Sequence, residues 1–196
     1  MNIFNITMQY LKERQKPSVR LLHISIIVLV VSQIIVSNFM AFNNSGDISS
    51  NTVELYGSWL HIITGIFLIP IAVLFLIVEL KRHSLKYYFP YLFGEFTQLS
   101  SDTRLLLKLK LPDSSDYGVA ASVQGLGLGA LFLVLFSGLI WFITWNANLS
   151  WANDVEDVHK FVTGFVQAYI IGHGVMGILH VFVYSKSLKG GGDKYH

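Results

Sequence analysis

Cysteine is absent from the 196 residues. That excludes disulfides, zinc ribbons, cysteine-ligated iron–sulfur clusters and covalent c-type haem attachment. Charge is scarce too: Asp, Glu, Lys and Arg make up 13% of the chain, whereas a soluble domain carries about a quarter. The formal net charge is only +2. No global basic field draws in polyanions, and nucleic acid is not an expected partner. What is plentiful is apolar surface, with 53% of residues hydrophobic. This balance argues against a soluble enzyme or a disordered chain. With cysteine missing, the seven histidines are the main inventory of metal-ligating side chains.

A bilayer core about 30 Å thick needs about 20 apolar residues per crossing helix. Four stretches without charged residues are long enough, and they predict spans over about 19–42, 55–80, 118–146 and 157–185. Each is continuously apolar rather than alternating, the pattern of helices and not of barrel strands. The expected fold is therefore all-α: a four-helix transmembrane bundle forming one domain over 1–186, with 187–196 a flexible tail. Pro70 falls inside the second span, where a bundle tolerates the kink it imposes. The first span is too long for a secretory signal and is read as retained.

Thirteen of the fourteen basic residues lie before or at the very start of span one, in the loop between spans two and three, or in the tail; the exception is Lys160. The other two loops are polar to acidic, with Asp47, Glu54, Asp154, Glu156 and Asp157. The positive-inside rule then places both termini in the cytoplasm. Trp59, Trp141, Trp145 and Trp151 fall at the outer boundary, as an interfacial belt does. In the inner loop, TRLLLKLKLP reads as a short surface helix, lying on anionic lipid or docking a partner.

Ionisable groups inside a membrane are unfavourable and usually functional. Five histidines fall in spans: His23, His61, His159, His173 and His180. His83 and His196 read as solvated. His61 and His159 both sit near the outer side. His173 lies 14 positions after His159, about 21 Å along the axis and about 40° off the same face. His23 starts span one from the inside. Depth lets it pair with His173 or with His180, one heptad further on. Histidines in couples at two depths do not make the clustered tetrahedral set that zinc takes. They suit haem iron, which takes two axial ligands in a flat slot. Such a slot needs small residues, and Gly65, Gly164, Gly172 and Gly174 lie near His61 and His173. The glycines of span three, Gly125, Gly127, Gly129 and Gly138, read equally as close helix packing.

RLLHISIIVLV in span one, LHIITG in span two, SGLIWF in span three and the spacing of His159 and His173 by thirteen intervening residues together resemble the bacterial cytochrome b561 family. That family includes the b-type cytochrome subunits of membrane nickel–iron hydrogenases. The resemblance covers roughly residues 18–186. It implies two b haems, with His61 and His159 holding one and His23 and His173 the other, so that His173 rather than His180 is the inner ligand. Members often carry a histidine at the start of span three, where this chain has Gln124; the four usual ligands remain. The resemblance also implies a bacterial inner membrane protein that passes electrons between ubiquinone or menaquinone and a redox partner protein or dehydrogenase subunit.

Quinone chemistry couples electrons to protons. His180, Glu79 and Tyr184, at similar depth on the inner side, are the candidate protonatable groups. Arg20 and Lys160 are candidates for neutralising haem propionates. A superoxide oxidase that reduces quinone ranks second, because the anion would meet acidic outer loops. A haem-free membrane protein that binds metal or relays protons through its histidines is the alternative of another class.

Overall fold

The computed structural model describes residues 2–43, 46–112 and 115–189. Its elements in chain order are α1 (Ile3–Arg14), α2 (Pro17–Ser37), α3 (Thr52–Arg82), α4 (Leu85–Tyr88), a 3-10 turn (Pro90–Phe93), α5 (Thr97–Leu107), α6 (Val119–Asn146) and α7 (Ala152–Lys189). Four of these, α2, α3, α6 and α7, are long and apolar enough to cross a membrane. There is no β-strand among the described residues; a lone bridge between Phe42 and Ile48 closes the α2–α3 loop.

The expected spans and the helices differ at their ends. α2 stops at Ser37 rather than near 42, because Asn38 folds its side-chain amide back onto the Ile34 carbonyl, 2.8 Å away. α7 starts at Ala152 and runs to Lys189, so the first part of the expected tail is helical. Residues 190–196, including His196, lie outside the described residues. α3 continues through Pro70. TRLLLKLKLP is helical only over its first half, and the chain leaves α5 through Leu109 at φ +55°.

α2 packs mainly on α3, and α6 on α7, with α3 against α6 as the looser seam. The core lies in that seam: Leu68 and Ala72 of α3 meet Leu131 and Leu135 of α6, with Ile26, Val30 and Val166 around them. Most other large apolar side chains face outward, among them Phe67 and Phe136. A water-soluble bundle would not leave such a surface. Trp141 departs from the expected belt. It is only 7% exposed and stacks on Trp145, which in turn meets Trp59 edge-on. Trp151 is exposed.

The two ends of the bundle differ. The acidic end carries the α2–α3 and α6–α7 loops. The basic end carries α1, α4 and α5. Pro17 at the first turn of α2 disfavours helix in the residue before it, and Lys16 is extended. The chain therefore breaks, and α1 packs against α7 and α2. Tyr184 donates to Glu13 Oε1 at 2.5 Å, and the rings of Tyr10 and Tyr184 meet edge-on. Asp102 of α5, 2% exposed, accepts the Val119 N–H at the start of α6 at 2.9 Å and the Gln98 amide at 2.7 Å. A carboxylate at a helix N-terminus satisfies an otherwise orphaned donor and opposes the helix dipole.

Candidate redox site

The structure brings four of the span histidines together in two couples. At the acidic end the rings of His61 (α3) and His159 (α7) lie 6.4 Å apart at 81°. At the basic end the rings of His23 (α2) and His173 (α7) lie 6.1 Å apart at 71°. One helix thus supplies a member of each couple. Two metal–nitrogen bonds of about 2 Å, plus about 1 Å from each nitrogen to its ring centre, add to about 6 Å. Both couples therefore have the spacing of a single metal centre held from two sides. Among the described residues no three His, Cys, Asp or Glu side chains converge, so the arrangement is one of couples and not of clusters.

Each couple has its own support. Ser137 Oγ lies 2.9 Å from His159 Nδ1. His61 Nδ1 is buried without a hydrogen-bond partner, and its backbone carbonyl accepts from the Gln33 side chain at 3.2 Å. Gln33 also donates to Thr64 Oγ1, which pins α2 to α3. A narrow slot of about 60 Å³ opens beside His61 and is lined by Gly65, Ile66, Val134, Gly138 and Phe142 among others. At the basic end Phe75 stacks on His23 and Tyr169 on His173. Gln15, the last residue before the α1–α2 break, places its Nε2 3.3 Å from His23 Nδ1.

The glycines divide. A Cβ on Gly138 would sit 2.9 Å from Cε1 of His159, and one on Gly127 would overlap the Tyr169 ring. A Cβ on Gly125 would come 2.5 Å from the Tyr88 carbonyl oxygen. α6 carries no histidine, yet its glycines seat aromatic and imidazole rings of other elements as much as they tighten helix packing. Gly65 faces the Gln33 amide, at 3.6 Å from an added Cβ, while Gly164, Gly172 and Gly174 face open space.

The remaining candidates are spread around the basic end. Glu79, 7% exposed, accepts from Tyr88 at 2.5 Å and pairs with Arg82 at 3.0 Å; its charge also acts on His23. Burial, and then the hydrogen bond to Glu79, hold the Tyr88 phenol well above the usual tyrosine value. Burial also raises the Tyr87 phenol. Tyr184 is engaged with Glu13. His180 has no polar or ring partner among the described residues and is half-buried. His83 stacks on Tyr87 rather than standing free in solvent. At the acidic end Lys160 pairs with Glu156 at 2.6 Å; Arg20 is half-buried near the start of α2.

Sequence reading missed Ser137, Gln33, Gln15, Phe75 and Tyr169. For Ser137 and Gln33 a signal existed: both are polar side chains inside apolar spans, where a hydrogen-bonding group needs a reason to be. Gln15 lies outside the spans, and Phe75 and Tyr169 are indistinguishable from packing aromatics.

No curated protein and no solved structure matches the chain. The profile described as prokaryotic cytochrome b561 matches residues 14–190, which takes in all four long helices, both histidine couples and Gln15. The chain is a multi-pass membrane protein of haem b electron transfer, and it belongs to the prokaryotic cytochrome b561 family.

Proposed function

We propose that this chain carries electrons between a membrane quinone and a redox partner protein through two b haems, one held by His61 and His159 and the other by His23 and His173. The observation that carries the reading is the pair of facing imidazole couples at opposite ends of one bundle. The facing rings, and the slot that Gly65 and Gly138 line beside His61, support a resident group at the acidic end. When bound, haem supplies a one-electron iron couple. The chain's own residues do the rest. α7 fixes the separation of the couples, Gly65 and Gly138 line the slot, and Gly164, Gly172 and Gly174 leave open space along α7 toward the basic end. Arg20, half-buried near the start of α2, is the candidate for balancing propionate charge at the basic end. Lys160, already paired with Glu156, balances it at the acidic end only if it gives that partner up.

The positive-inside rule puts the basic end, with both termini, on the cytoplasmic side of a bacterial inner membrane. On that side quinone, ubiquinone or menaquinone, exchanges protons as well as electrons. Of the three candidate groups, Glu79 is committed to Arg82 and Tyr88 and Tyr184 to Glu13. His180 is half-buried and unengaged, so it is the group we assign to proton exchange. The acidic rim at the other end suits a basic redox protein or dehydrogenase subunit. It opposes the approach of superoxide, and the pairing of Lys160 removes the nearest cation.

The test is spectroscopic. Detergent-purified protein should show a b-type α band on dithionite reduction and two haems per chain by pyridine haemochrome assay. A folded, colourless preparation that binds metal ions instead would replace this reading with the haem-free alternative.

A further inference from the structure

The acidic-end couple is asymmetric in a way that bears on which nitrogen of His159 faces inward. His159 Nδ1 lies 2.9 Å from Ser137 Oγ. The same hydroxyl lies 3.0 Å from the Val134 carbonyl oxygen, to which it donates. A hydroxyl has one proton and a carbonyl oxygen can only accept. With that proton given to Val134, the Ser137 oxygen is left as an acceptor toward His159. The Nδ1 opposite must then carry a hydrogen, and a neutral imidazole protonated at Nδ1 has its lone pair on Nε2.

We propose that Ser137 is a positioning residue: by accepting from Nδ1–H it fixes the tautomer and ring orientation of His159, so that the bare Nε2 is turned to the centre shared with His61. This rests on the reading of His159 as a haem ligand. Two further observations carry it. Ser137 is 7% exposed, so water does not readily replace its oxygen. Gly138 beside it lets the imidazole press against α6, where an added Cβ would come within 2.9 Å of the ring's Cε1. His61 has no such partner, since its Nδ1 is unpaired. Ser137 therefore makes the one side-chain hydrogen bond to a ring nitrogen of this couple among the described residues, beside the Val134 backbone carbonyl, which also acts on His159 as an acceptor. An acceptor on the far nitrogen makes an imidazole a stronger donor to its metal. Ser137 should thereby favour the oxidised iron and lower the potential of the acidic-end haem.

The experiment compares the S137A and S137T variants with the unaltered protein by potentiometric titration and low-temperature EPR, the two haems being assigned from the H23A and H159A variants. S137A should keep two haems and raise the potential of the acidic-end haem by about a tenfold change in its reduction equilibrium, about 59 mV for one electron. The basic-end haem should be unmoved, and S137T, which keeps a hydroxyl, should restore the original value. If S137A binds only the basic-end haem while S137T binds both, the proposal also stands. Unchanged potentials and EPR in S137A would overturn it, as would S137T matching S137A or both variants losing both haems. Retention of both haems by H159A would instead remove the ligand reading beneath it, whatever Ser137 does.

Discussion

The two histidine couples have nearly the same ring separation and are held by different means. At the acidic end, His159 leans on Ser137 and Gly138 of α6, a long helix packed along α7. At the basic end, His23 meets Gln15, which belongs to the break between the peripheral α1 and α2. One couple is built into the bundle, and the other is completed by a short helix tied down through Glu13 and Tyr184. Equal geometry therefore does not mean equal rigidity. The acidic-end centre should answer to changes in the core, and the basic-end centre to changes in a surface helix.

The sharpest way to break the comparison is to remove ligands. H61A or H159A should abolish one haem and leave the other in the reduced spectrum, while H23A or H173A should do the reverse. H180A should retain both. Loss of a haem in H180A with retention in H173A would reverse the basic-end assignment.

Overpacking comes next. The G138A substitution pushes a methyl group against His159 and should destabilise by about 1–3 kcal/mol, with selective loss of the acidic-end haem. G127A should do the same at the basic end through Tyr169. G129A, by contrast, meets no atom within 4 Å and should leave the haem content unchanged. Haem-to-protein ratios across these three variants test whether α6 seats both couples.

Alkali should distinguish the ends more gently. The Tyr88 phenol is held above its unfolded value by burial and by Glu79. Its contribution is complete below the ordinary tyrosine value of about 10 and declines as pH rises beyond it. Thermal unfolding in detergent should show stability falling above about pH 10, and Y88F should flatten that fall. The same slope in Y88F would mean that other groups carry it.

The smallest effect is expected from α1. Q15L should weaken retention of the basic-end haem by about tenfold and leave the acidic-end haem alone, as followed by haem transfer to an apo-acceptor. Equal weakening of both would mean that α1 supports the bundle rather than His23.

Much of this architecture was legible in the sequence, because its causes act on sequence directly. A crossing helix must be long and uncharged, so Val119–Asn146 announces itself. Histidine is rare enough in such helices that its spacing carries meaning, and the 14-residue step from His159 to His173 indicated two levels. The choice between His173 and His180 was not legible from depth, since α2 begins at Pro17 and its offset against α7 is set by packing. The supporting residues were less legible still. Ser137 is one of several serines in apolar spans, and only the fold shows which one meets an imidazole. Glycine is equally mute: Gly138 and Gly172 look alike in sequence, yet one touches a ring and the other nothing.

α7 is a molecular ruler. Because a single uninterrupted rod carries His159 and His173, the gap between two haems held as proposed would be written in peptide units and not in side-chain contacts. Inserting one residue between them would swing one imidazole by about 100° and unmake a couple, whereas inserting seven would bring it back to nearly the same bearing about 10 Å farther away. The length of this spacer can therefore drift only in jumps, and a lineage that keeps both centres keeps the count.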